Sequence, residues 1–128
     1  VAVPIRVIKG RGTGSALHEG VATRGGSVEV PVRRLDEVLK IGDIHRPCLL
    51  KIDTEGHVLD ILQGAAGILD AIDCVVAEVQ FRKPELYRPG QLFQFLGERG
   101  FELADVLDSY MSDKRFHCAD MVFERRGR

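Results

Sequence analysis

Apolar and polar positions alternate at the start of the chain. Val1, Val3, Ile5 and Val7, with Ile8 adjoining, predict a strand over 1–8, and Pro4 sets it at an edge or gives it an irregular start. Gly10–Gly26 then loses all period. It carries six glycines and three Ser or Thr residues, the composition of a loop. Val28, Val30 and Val32 alternate with Glu29, Pro31 and Arg33, which predicts a short strand with one wet face. Leu35, Val38 and Leu39 have helical spacing for a turn or two, ending near Gly42.

The middle of the chain is more strongly patterned. Cys48-Leu49-Leu50-Lys51-Ile52-Asp53 follows Pro47 and reads as a strand buried on both faces. Thr54-Glu55-Gly56 is a tight turn. From His57 to Asp70 the period becomes 3.6, with Val58, Ile61, Leu62, Ala65 and Leu69 on one stripe. Cys74-Val75-Val76-Ala77-Glu78-Val79 is a second buried strand, so 48–80 has the form of a strand–helix–strand crossover. Arg82–Arg88 is a polar loop. Pro89 opens a helix with Leu92, Phe93, Phe95 and Leu96 on its apolar side, and Gly100 is placed to end it. Phe101–Leu107 alternates as a strand, Asp108–His117 reads as a polar connection, and Ala119–Glu124 closes as a strand. The order β, β, α, β, α, β, α, β, β predicts an α/β fold, mainly parallel, with an antiparallel terminal strand. One domain is expected, with an irregular lead-in over 1–27 and an α/β core over 28–124.

Composition adds bounds rather than detail. The 128 residues suit one domain, and 45% hydrophobic with 29% charged is ordinary globular usage. Residues 1–51 carry nine basic and five acidic side chains. Residues 52–124 carry six basic and fourteen acidic, and Arg125, Arg126 and Arg128 follow. No basic stripe dominates, so no nucleic-acid partner is expected. No apolar run approaches the ~18 residues of a membrane span, and no basic-then-apolar leader opens the chain. Cys48, Cys74 and Cys118 are widely spaced and odd in number, which fits reduced, buried thiols and a cytoplasmic setting.

Candidate chemistry gathers where strands end. Asp53 closes one strand, Glu55 sits two residues on, and Glu78 lies near the end of the next. A right-handed crossover brings both ends to one rim, where open α/β sheets bind ligands. Asp53, Glu55 and Glu78 are therefore the candidate catalytic acids, able to accept a proton or hold a cation. Glu78 is the most informative, because an acid inside an apolar strand is costly unless it is paired. His57 and Glu78 are candidate substrate contacts, and Lys51 either pairs with a carboxylate or snorkels. The blander readings are turn former or cap for Asp53, a first-turn acid for Glu55 and a solvated ring for His57. Gly10-Arg11-Gly12-Thr13-Gly14 has a cofactor-loop look, but no helical period follows it, so it reads as a flexible loop.

Leu35-Asp36-Glu37-Val38-Leu39, Leu50-Lys51-Ile52-Asp53-Thr54-Glu55-Gly56, Ile61-Leu62-Gln63-Gly64-Ala65 and Glu78-Val79 together resemble the FkbM family of methyltransferases. Gly100-Phe101 and Asp120-Met121-Val122-Phe123 resemble its closing elements, so the likeness runs from about Val28 to Phe123. The resemblance implies a Rossmann-like methyltransferase sheet, present here as its carboxyl-terminal half, whose last strand is antiparallel and inserted beside the fifth. It implies S-adenosylmethionine as cofactor, with Asp53 near the methyl donor, and a hydroxyl of a small molecule or sugar as methyl acceptor. Val58 departs from the second glutamate common at that position. The donor-binding glycine-rich loop and the acid after it do not appear upstream. A half-sheet with a bare edge is expected to self-associate. Two other functions compete: a non-catalytic scaffold that keeps the fold, and a metal-dependent hydrolase using Asp53, Glu55, His57 and Glu78.

Overall fold

The run after Pro47 forms β1 (Leu49–Ile52) in the computed structural model, which describes residues 32–54 and 56–127. The chain divides into two compact units, Val1–Arg33 and Arg34–Arg128, and the second carries the sheet. The strands expected over 1–8 and 28–32 and the glycine-rich stretch between them lie outside the described residues, Val32 apart. Within the second unit the order is α1 (Leu35–Val38), a 3-10 turn (Ile41–Asp43), β1, α2 (Val58–Gly64), a second 3-10 turn (Leu69–Ala71), β2 (Cys74–Gln80), α3 (Pro89–Gly97), β3 (Phe101–Ser112) and β4 (Arg115–Arg125).

The four strands lie in the order β1-β2-β4-β3. β1 and β2 are parallel, from Leu49↔Cys74 to Ile52↔Ala77. β4 is antiparallel to β2 and to β3. The expected crossover and the antiparallel final strand, inserted beside its neighbour, are both present. The expectation of a mainly parallel sheet is not met: among the described strands one pair is parallel and two are antiparallel.

One face of the sheet builds the core. Val75, Ala77 and Val79 of β2 alternate inward with Ala119, Met121 and Phe123 of β4, and meet Val58 and Leu62 of α2 and Leu92 and Leu96 of α3. Each fully buried aliphatic contributes about 1.5–3 kcal/mol relative to exposure. The opposite face is only half-buried on β2 and β4 and open on β1, where Leu49 is 57% exposed. β1 is therefore not buried on both faces as its composition suggested. It forms an edge among the described strands, and only Leu50 and Ile52 turn toward the helices.

Two element lengths also differ. The 3.6-residue stripe runs to Asp70, but α2 stops at Gly64. Gly67 comes so close to α1 that a Cβ there would lie 3.2 Å from the Cβ of Asp36. Its N–H donates to Asp36 Oδ2 at 3.1 Å. Ile68 and the stripe residue Leu69 stay buried through the turn that follows. The polar stretch Asp108–His117, expected as a connection, is instead a tight hairpin. Only Asp113 and Lys114 leave the strands, both with positive φ, 51° and 60°. Such pairs match the twist of a two-residue hairpin. β3 is an exposed, bulged edge, so its polar residues cost nothing there.

Arg125 locks the far end. Its Nε donates to Ile72 O at 3.0 Å and Nη1 to Arg99 O at 2.9 Å, while Nη2 reaches Leu69 O. Its guanidinium lies 4.3 Å from the centre of the Phe101 ring. Among the described residues no helix is long and apolar enough to cross a membrane.

Candidate functional site at the ends of the parallel strands

Because β1 and β2 point the same way, their carboxyl ends share a rim. Asp53 follows Ile52 directly, and Glu78 follows Ala77, the partner of Ile52 in the last pair of the two strands. Alternation along β2 turns Glu78 away from the helical face, between the buried Ala77 and Val79. Asp53 is 61% exposed and pairs with Lys51 Nζ at 3.4 Å, the pairing considered for Lys51 from sequence. Glu55 lies outside the described residues. His57 holds the N-cap position of α2 without a side-chain cap bond, and its Nδ1 lies 3.3 Å from Asp60 Oδ2, so the ring is engaged by its own helix.

Glu78 is half-buried and accepts a hydrogen bond from Gln80 Nε2 at 2.5 Å. Its partner across the sheet is Asp120 of β4, and Asp120 in turn faces Asp108 of β3. Like charges placed directly opposite weaken a sheet, typically by a few tenths to 1 kcal/mol.

Gln80 was not singled out by sequence, and it is the buried centre of the rim at 4% exposure. Its backbone N–H donates to the Tyr87 hydroxyl at 3.0 Å. Its side-chain Oε1 and the Thr54 Oγ1 are buried polar atoms with no hydrogen-bond partner among the described residues. The loop after β2 folds back over the turn that follows Thr54. Gly56 has φ +115°, and a Cβ there would lie 2.1 Å from Leu86 Cδ1 and 3.9 Å from Gln80 Cγ. Only glycine supplies that backbone and that space. A lone Gln after an apolar run and a Tyr in a polar loop give little signal in sequence.

The electrostatics follow the burial. Burial pushes the Tyr87 hydroxyl above its ordinary value, with Glu78 adding to the shift and the Gln80 N–H opposing it. Burial, then the charges of Glu78 and Asp120, push the Cys118 thiol up, and burial followed by Glu124 does the same for Cys74. These thiols are held protonated and make poor nucleophiles. The three cysteines are free and half-buried rather than buried. Among the described residues no group of three or more His, Cys, Asp or Glu side chains is placed to hold a metal ion.

Comparison with known proteins meets this geometry. The methyltransferase FkbM domain matches residues 7–103, more than half of the chain. The chain belongs to the FkbM methyltransferase family. The FkbM match takes in the KID and AEV segments and Gly100-Phe101, but stops before Asp120–Phe123. A relative, the hexuronic acid methyltransferase AglP of Haloferax volcanii, is 32% identical over 54 residues, 42% of this chain and 23% of that protein. The chain thus matches about a quarter of that relative's length. No solved structure matches it.

Proposed function

We propose that this chain forms the acceptor side of an S-adenosylmethionine-dependent O-methyltransferase, as the carboxyl-terminal part of a Rossmann-like domain. The acceptor is a hydroxyl of a small molecule or sugar. The observation that carries this reading is the parallel pairing of β1 with β2, the strands that lead to Asp53 and Glu78, within a chain of the FkbM family. The name of the Haloferax relative, which specifies a hexuronic acid, supports a sugar-class acceptor.

The rim fits a cationic methyl donor in part. It carries the exposed carboxylate of Asp53, the acid row through Glu78 and an orphaned acceptor at Gln80. When bound, S-adenosylmethionine supplies an electrophilic methyl on a sulfonium cation. In this reading Asp53 accepts hydrogen bonds from the donor, and Glu55 is a second candidate acid from the sequence motif. Glu78, in the same reading, receives the proton of the attacking hydroxyl at a carboxylate oxygen. Aligning hydroxyl and methyl is the larger part of the work in such a displacement. His57, engaged by Asp60, is a positioning group beside the turn. The free thiols support a reducing, cytoplasmic setting. The edge of β1 supports association with a second copy.

Calorimetric titration of S-adenosylmethionine tests the reading, using the protein with whatever upstream sequence its gene encodes. Saturable binding is expected, weakened at least tenfold by Asp53→Ala. No heat in either form sinks methyl transfer and favours a non-catalytic domain.

A further inference from the structure

The hairpin of β3 and β4 runs past the end of its neighbour. β2 pairs with β4 up to Gln80↔Cys118. β3 and β4 continue together through Met111↔Phe116 and Ser112↔Arg115 before the turn at Asp113 and Lys114. From Cys118 to Arg115 the overhang is about 10 Å of strand. It stands beyond the carboxyl end of β2, the end that carries Glu78 and Gln80.

The overhang is rich in open rings. Tyr110 is 59% exposed, Met111 51% and Phe116 48%. Phe116 leans on Phe81 with ring centroids 5.7 Å apart, and Tyr110 meets His117 nearly at right angles with centroids 5.5 Å apart. The loop after β2 braces the hairpin. The Phe81 N–H donates to His117 O at 2.9 Å, and Arg82 Nη1 lies 3.8 Å from Asp113 Oδ2. Rings fixed and exposed in this way offer a flat apolar surface, which needs no enclosed cavity. The patch is small. Ser109 bounds it along β3, and Asp113, Lys114 and Arg115 bound it at the turn. Three side chains fall well short of the ~800 Å² that a protein partner usually covers.

We propose that Tyr110 and Phe116 bind a sugar unit of the acceptor by stacking, away from the reacting hydroxyl, so that the acceptor is a glycan of two or more units. This rests on the methyl-transfer reading above and narrows its acceptor. The negative face of an aromatic ring attracts the C–H face of a pyranose, while the hydroxyls at the sugar's edge stay in water. The spacing sets the length. Phe116 lies four residues along β4 from Asp120, the partner of Glu78, which is about 13 Å of strand. A single unit with its hydroxyl at Glu78 does not cover that span, and a second unit does. Binding energy from a remote unit then helps to align the reacting one.

The chain's two methionines give an internal comparison. Met111 is exposed opposite Phe116, and Met121 is buried in the core. With both methyl groups 13C-labelled, nuclear magnetic resonance follows titrations of cellobiose, methyl β-D-glucopyranoside and sorbitol without a methyl donor. Met111 is expected to shift saturably with both glycosides, cellobiose binding at least threefold tighter, while Met121 stays still. Sorbitol, which has hydroxyls and no ring, is expected to bind at least tenfold more weakly than the glucoside. Phe116→Ala is expected to weaken cellobiose at least threefold with the Met121 signal in place. Should that variant not fold, Tyr110→Ser is read in the same way. A Met111 signal that neither glycoside moves, or that sorbitol moves equally, overturns the proposal. So does a glucoside that binds as tightly as cellobiose, or cellobiose binding that the substitution leaves unchanged. A Met111 signal that moves on dilution of the sugar-free chain marks contact with a second copy and overturns it as well. The two readings fail separately. Glycan binding without S-adenosylmethionine binding sinks methyl transfer and leaves the stacking surface, and the reverse result does the opposite.

Discussion

At the scale of single residues, the rim is held by a short relay. Tyr87 accepts from the Gln80 backbone, and the Gln80 side chain holds Glu78. Replacing Tyr87 by Phe leaves a buried N–H unsatisfied and is expected to cost about 1–3 kcal/mol at neutral pH. That cost has a pH signature. Burial raises the Tyr87 pKa in the fold, so its contribution is complete below the unfolded value near pH ~10 and is lost as pH rises through the higher folded value. Urea unfolding at neutral and alkaline pH is expected to show the gap between wild type and Tyr87→Phe closing above about pH 10. A gap that stays constant to the end of the range contradicts it. Sequence exposed part of this relay. Glu78 stood out because a charge interrupts an apolar strand, whereas Gln80 and Thr54 stand out by buried polar atoms that find no partner among the described residues, which no pattern along the chain encodes.

At the scale of elements, the strand–helix–strand unit from β1 to β2 was legible because its period changes from two to 3.6 and back. The stopping point of α2 was not, since Gly67 answers to the approach of Asp36, which lies 31 residues away. The β3–β4 hairpin was hidden for a related reason: its polar residues resemble a loop until the exposure of an edge strand is known. Arg125 ties that hairpin to the rest. It binds three carbonyls on the 3-10 turn, the segment before β2 and the segment after α3, while only 10% of its side chain is exposed. Arg125→Met keeps the packing and abandons those carbonyls. A loss of about 2–4 kcal/mol is expected, read as a lower denaturant midpoint with unchanged slope. A loss below about 1 kcal/mol, the worth of an ordinary surface pair, means that the carbonyls find other donors.

At the scale of the whole molecule, the described unit presents one covered sheet face and one half-open one. Leu49, Val76 and Val122 share that open face with the acid row. β1 offers a short strand with an outer edge that no described strand occupies. β3, the other edge, is protected by three register shifts and by Glu102, Asp105 and Asp108. Self-association is therefore expected through β1. Sedimentation velocity at micromolar concentration is expected to show dimers, and Leu49→Lys is expected to shift them toward monomer by placing a charge at the edge. A wild-type chain that sediments as a clean monomer rules the association out.

The placement of β4 between β2 and β3 also has a consequence for synthesis. β2 ends at Gln80, and the strand that completes its second side begins at Arg115. A ribosome therefore delivers β2 with one flank bare, and some forty-five further residues must be added before the whole of β4 can slot in. For that interval the nascent sheet offers Val75, Ala77 and Val79 beside an unmated backbone, which is the stretch a holdase chaperone would be selected to shield.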